Sequence, residues 1–491
     1  MKYLRITTGL GFLIVSALAV LNFEFLKNQF LFLSPDGVID PDSFLQLRIF
    51  LISFSAPGCL LVFYNRVASG LNSLSNSIEG WNSKRFLFIA LVSALALRVL
   101  AVALIPIQLW ADSAGYDYLA TNWIAQGGFY YEGEPTAMLP PGYPFLLSRL
   151  YLVFGQAPIS GAIFNIFLSV GTCYLAYLIA RRVWNERVAR LTLVIMAIFP
   201  SQILFTNQIM TETTFTFLFL FAIWLIIRVD SLKNLGWLSL ALAGIVLGLS
   251  ALTRPLTLTW IPLAALYWFR SRLGPRAPLG LFAVTLIFFA MTVAPWMIRN
   301  QRELGLSAIS SNGGGNFYIG DNPRSGVGWS IPDTAIFKLN IPALEASNDR
   351  LGYSLGWDFI KKNPARFLKM GVLKVAFLYS IDIDALHYEI IRAANDGVTD
   401  RYVILAGVTQ LFYMFVLALA LAGTWKFFTT KELRTPGAYL LLATLAYWAA
   451  VHFVYFGFGR FHFPVIPIIS AFAAVFVCRC VNTTIGQKIS D

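Results

Sequence analysis

Charge is scarce in this chain. Asp, Glu, Lys and Arg make up 13% of its 491 residues, against 57% hydrophobic residues, and the mean hydropathy is +0.68. Such a composition excludes an ordinary soluble globule and marks a polytopic membrane protein. Acids are the scarcer sign, with 25 Asp and Glu against 37 Lys and Arg, for a net charge of +12. No basic stripe interleaved with aromatics accompanies that excess, so it does not point to nucleic acid. Histidine is limited to His387, His452 and His462, which lack metal-ligand spacing. Cysteine is limited to Cys59, Cys173, Cys478 and Cys480, each in or beside an apolar run, which argues against a disulfide framework. No Gly-x-Ser-x-Gly elbow supports a serine hydrolase. Gly313–Gly315 is not followed by Gly-Lys-Ser/Thr, so it reads as a flexible turn rather than a phosphate loop. There is no internal repeat of the kind that builds solenoids.

What is present is a series of unbroken apolar runs, which excludes a β-barrel. Twelve spans are expected: 10–26, 49–64, 86–107, 159–180, 191–205, 214–227, 235–252, 256–269, 279–297, 403–425, 438–456 and 461–477. The first resembles a signal peptide, with Lys2 and Arg5 ahead of it, but is expected to remain as an anchor. With the N-terminus cytoplasmic, Lys and Arg of the short loops fall on the cytoplasmic side throughout. The two long loops, about 108–158 and 298–402, then both face outward. The segments 367–378 and 145–152 are apolar but ambiguous. Lys369 and Lys374 favour an interfacial helix for the first, because a span there would reverse all that follows. The chain divides into a two-span extension (1–84), a core bundle carrying the first outer loop (85–300), an outer region with the interfacial helix (301–402) and C-terminal spans (403–491).

On this topology, polar residues gather on the outer face: Asp112, Tyr116 and Asp117; Glu212; Arg254; Arg299 and Asn300; the 313–316 and 320–322 segments; and Arg460 with His462. Asp112, Tyr116 and Ala120 share one face if helical. Asp112 reads either as a helix N-cap or as a catalytic carboxylate, and Glu212 as a cap or a site residue. Arg254, Arg299 and Arg460 either snorkel to headgroups or bind an anion, since a guanidinium presents a planar fork to phosphate. Arg98 lies mid-span, where it must snorkel or pair within the bundle.

The set Asp112-x3-Tyr116-x3-Ala120, Pro140-Pro-Gly-Tyr-Pro144, Met210-Thr-Glu212, Thr253-Arg-Pro255, Pro295-Trp-x-x-Arg-Asn300 and Arg460-Phe-x-x-Pro464 resembles the C-type membrane glycosyltransferases. Within them it is similar to the protein O-mannosyltransferase and aminoarabinose transferase group, from about residue 85 onward. The resemblance implies an all-α bundle of about twelve (11–14) membrane helices, with amphipathic helices in the first outer loop and a larger second one. It implies a polyprenyl-monophosphate sugar donor, a lipid, protein or glycan acceptor and, as location, a bacterial inner membrane with the site facing the periplasm. Asp112 would be the general base and Glu212 a second acid. Tyr116, Arg254, Arg299, Arg460 and His462 would bind donor or substrate. Ser113 follows Asp112 where many relatives carry Asp-Glu, so a divalent metal is left open and no cofactor is assigned. One carboxylate with clustered guanidinium groups suffices for single displacement of a phosphate leaving group. A transporter or lipid-sugar flippase and a polysaccharide polymerase or ligase are the competing readings.

Overall fold

The computed structural model describes residues 2–21, 50–229, 236–271, 277–329, 344–386 and 400–488. His387, Lys233, Arg272 and Arg276 lie outside the described residues. The helices, in order, are α1 (Lys2–Leu21), α2 (Ser55–Val62), α3 (Tyr64–Glu79), α4 (Ser83–Leu104), α5 (Asp112–Gln126), α6 (Gly142–Phe154), α7 (Pro158–Val183), α8 (Glu186–Ala197), α9 (Pro200–Leu204) and α10 (Thr211–Ile227). They continue with α11 (Gly236–Thr253), α12 (Thr257–Arg270), α13 (Ala277–Leu304), α14 (Gly313–Gly320), α15 (Glu345–Lys362), α16 (Pro364–Leu378), α17 (Asp400–Thr429), α18 (Pro436–Val454) and α19 (Ile466–Lys488). A 3-10 segment, Gly459–Val465, leads into α19, and a two-stranded hairpin, β1 (Tyr130–Tyr131) with β2 (Glu134–Pro135), follows α5.

Seven helices among the described residues are long and apolar enough to cross a membrane, and nine if two bent pairs each form one span. The other three expected spans correspond to α1, to α10 and to α12, which are shorter in their apolar part or overall. Segment 145–152 lies in α6, a 13-residue helix packed on α5. Segment 367–378 lies in the 15-residue α16, packed against α18.

Local chemistry fixes the ends. The Asn82 carboxamide accepts from the Lys84 and Arg85 amides to start α4, and Asn185 does the same for α8 through Val188. Pro158 and Pro436 sit in the first turns of α7 and α18, where no amide is missed. In α4, Ala94, Arg98 and Ala101 are buried while Phe88, Val99 and Leu104 remain exposed on the apolar outer surface. α11 and α13 run together because Gly244 and Gly248 abut the Thr285 backbone and the Thr292 side chain, where a Cβ would collide. α1 packs on α2, and α2 on α17, so the first helices dock against the C-terminal ones.

Arg98 does not snorkel. It is fully buried, and its five hydrogen bonds all go to neutral groups: Ser169 Oγ at 2.7 Å, the Ala94, Met196 and Ala197 carbonyls, and Cys173 Sγ. α8 and the following turn bend by 59° at Pro200, which removes the amides that would have served Met196 and Ala197. Arg98 supplies them.

The two long loops touch. Glu345 of α15 accepts from Thr136 Oγ1 at 2.5 Å, from the Ala137 amide at 2.8 Å and from Ser311 Oγ at 2.9 Å. The expected flexible turn at Gly313–Gly315 is instead part of α14. Gly314 and Gly352 bring α14 and α15 into backbone contact, which is why glycine is needed there. Behind them, Lys374 of α16 pairs with Asp321 at 3.0 Å and donates to the Val454 carbonyl at 3.3 Å, with both charged groups buried.

Candidate active site

Four segments converge. The first is a tight turn at the exit of α4. The Ser113 amide donates to the Trp110 carbonyl at 2.9 Å, and the Ser113 hydroxyl bridges the Trp110 amide and carbonyl at 2.6 and 2.7 Å. Ala111 stands at φ 46°, a conformation that favours glycine. Asp112 is the first residue of α5 and its side chain caps nothing: the cap position falls on Ala111. Tyr116 and Ala120 lie buried one and two turns on, as the shared face requires. The Tyr116 ring meets Tyr143 edge-on at 5.3 Å. Burial, and then the charge of Asp112, push its phenol well above the usual range. Asp117 accepts from Tyr151 of α6 at 2.5 Å.

The second segment is the start of α10. Glu212 there is fully buried. The third is the end of α11, where Arg254 donates through Nη2 to Glu212 Oε1 and through Nε to Thr211 Oγ1 at 2.8 Å. α6 docks on this end of α11, because Gly142 lies against the Leu252 and Thr253 backbone with no room for a Cβ. The fourth is the 3-10 segment before α19. Arg460 donates through Nη2 to Asp112 Oδ2 at 2.5 Å, and its Nε stands 3.9 Å from Glu212 Oε1. The Phe461 ring lies between the two guanidinium groups, 5.7 Å from Arg254 and 5.4 Å from Arg460. The order is therefore Asp112–Arg460–Glu212–Arg254, drawn from residues hundreds of positions apart.

Two expected members do not join. Arg299 donates to the Thr136 carbonyl at 2.7 Å and the Phe129 carbonyl at 3.1 Å, and lies over Trp296 at 4.9 Å. It braces the first outer loop rather than offering a free fork. His462 is buried against the Leu378 carbonyl (2.7 Å), Asp382 (3.2 Å) and the Tyr413 ring (4.6 Å). A side chain two residues after Arg460 points elsewhere because the 3-10 segment turns about 120° per residue. Glu345 and Asp382 were not singled out from the sequence. Their partners lie in other loops, and nothing local marks them.

Among the described residues no three His, Cys, Asp or Glu side chains converge on a cation-sized position. The two carboxylates of the site are already shared by arginines. This donor set does not fit a divalent metal, and no step below is routed through one.

Residues 139–297 match the family model described as dolichyl-phosphate-mannose-protein mannosyltransferase. No curated protein sequence matches the chain. Among solved structures, an archaeal oligosaccharyltransferase, AglB from Archaeoglobus fulgidus, in complex with an inhibitory peptide and a dolichol-phosphate, is 17% identical with a TM-score of 0.48. That alignment covers 84% of this chain and 52% of the other. ArnT from Cupriavidus metallidurans bound to undecaprenyl phosphate is 12% identical with a TM-score of 0.42, over 83% and 79% of the two chains. The chain spans about half the length of the oligosaccharyltransferases it matches. The family match takes in Pro140–Pro144, Glu212 and Arg254 and leaves Asp112, Arg299 and Arg460 outside it. This segment, about a third of the chain, is thus similar to a mannosyltransferase family of the C-type class that the motifs resemble.

Proposed function

We propose that the protein transfers a sugar from a polyprenyl-monophosphate carrier to an acceptor hydroxyl at the outward face of a bacterial inner membrane. The observation that carries this reading is the Asp112–Arg460–Glu212–Arg254 network at the end of α4, α11 and α18. The family description over residues 139–297 names a sugar on a polyprenyl monophosphate, which supports that donor class.

The chemistry is a single displacement. The acceptor oxygen forms a bond to the anomeric carbon while its proton passes to Asp112. The bond from that carbon to the phosphate oxygen breaks, and its electron pair leaves on the phosphate. A phosphate needs little protonation to depart, because its second ionisation lies near pH ~6. It needs positive charge, which Arg254 and Arg460 provide. Glu212 keeps Arg254 in place, and Tyr116 closes the floor of the site. Attack from the face opposite the phosphate inverts the anomeric centre.

The test is donor selectivity. Purified protein is incubated with a polyprenyl-monophosphate sugar or with a polyprenyl-diphosphate oligosaccharide. Turnover of the first alone is expected. Turnover of the second alone would point to a polymerase or ligase, and vectorial movement of intact donor without bond cleavage would point to a flippase.

A further inference from the structure

The site holds two guanidinium groups and two carboxylates, so its charges balance. The two ion pairs differ in what they could release. Arg254 is committed: both its Nη2 and its Nε are engaged, and Glu212 is fully buried. Removing that cation would leave a bare charge in the interior. Asp112 is different. Its side chain is 44% exposed and Arg460 24%, so water can hydrate the carboxylate if the arginine leaves. Arg460 also keeps a reserve. Its Nε is buried with no hydrogen-bond partner among the described residues, and Glu212 at 3.9 Å is too far to serve it.

The proposed reaction places two demands on the same bond. The phosphate needs the Arg460 fork, and the acceptor's proton needs an Asp112 oxygen, of which Arg460 now holds Oδ2. We infer that Arg460 exchanges partners, leaving Asp112 for the donor phosphate, so that arrival of the donor frees Oδ2 of the base. This rests on the donor reading given above. A phosphate accepting from both Nε and Nη2 of Arg460 would also satisfy the orphaned Nε, which Asp112 alone does not.

The consequence is reciprocal. Asp112 and the phosphate compete for one guanidinium, so abolishing the Asp112 charge must strengthen phosphate binding even as it stops turnover. Binding of undecaprenyl phosphate to the purified full chain, against undecaprenol as the neutral probe, tests this. The wild type is expected to prefer the phosphate, and Asp112→Asn to bind it about tenfold tighter, within the usual range of coupling between sites. Asp117→Asn removes a nearby negative charge that Arg460 does not touch, and is expected to stay within about twofold of wild type. In an Arg460→Gln background, Asp112→Asn is expected to change nothing. Unchanged or weaker binding by Asp112→Asn overturns the exchange. So does equal tightening by Asp117→Asn, or tightening that survives without Arg460. Loss of the preference for phosphate over alcohol in the wild type would instead remove the donor reading, and the exchange with it.

Discussion

Two pairs of opposite charge sit in different parts of this molecule, and they are built differently. Asp112 and Arg460 meet across a partly open surface, where solvent can hydrate the acid and the arginine keeps an Nε without a hydrogen-bond partner among the described residues. Lys374 and Asp321 meet in a sealed space, at 0% and 2% side-chain exposure, beneath glycines that bring backbone against backbone. An open pair can trade partners at modest cost. A sealed pair can only hold, since either charge left alone would be uncompensated. The first is suited to chemistry and the second to fixing the strand of chain, Val454 to Arg460, that delivers the first.

That contrast can be broken by substitution. The largest expected effect is on turnover: Asp112→Asn should lose about 10²–10⁴-fold in transfer, the range for a missing general base, with an unchanged melting midpoint. Near-normal transfer would remove Asp112 from the mechanism. Next, Lys374→Met should cost about 3–5 kcal/mol of stability by stranding Asp321, read as a lower melting midpoint or denaturant midpoint. The double variant Asp321→Asn/Lys374→Met should recover most of it. If the single variant melts like wild type, the sealed pair holds nothing. A smaller effect is expected at the turn before Asp112. Ala111→Gly should stabilise by about 1 kcal/mol, because it relieves a left-handed alanine. An unchanged or lower midpoint would mean that the turn is not under strain.

A further effect is with pH. Burial raises the Asp321 carboxyl to about 6, with Lys374 opposing that rise. A folded value above the unfolded one means that the fold favours the protonated acid. The stability it contributes is therefore full below about pH 4 and falls as pH rises through 6. The melting midpoint should decline over that window in the wild type and less so in Asp321→Asn.

Much of the frame was legible. The apolar runs located the apolar helices among the described residues but not all of their ends: the first begins at Lys2 rather than residue 10, and α13 runs on to Leu304 rather than 297. The motifs singled out Asp112, Glu212, Arg254 and Arg460, and the structure gathers those four. The partnerships were not legible. Arg98 finds carbonyls freed by a helix break 98 and 99 residues away, and periodicity carries no information about such pairings. Arg299 looked like an anion fork because its neighbours gave no sign that the 129–136 hairpin would take it. His462 sits beside Arg460 in sequence, yet the 3-10 twist sends it to Asp382. The Gly244-x3-Gly248 spacing could have announced the α11–α13 contact, since small residues four apart let helix backbones close up.

By gathering Thr136, Ala137 and Ser311 onto one carboxylate, Glu345 welds stretches of polypeptide that are far apart in the chain. Arg299 clamps the same hairpin from the other side. On the proposed function, an incoming acceptor would meet a rim whose disorder was spent when the chain folded, not at the moment of docking, and its recognition would draw on shape already set.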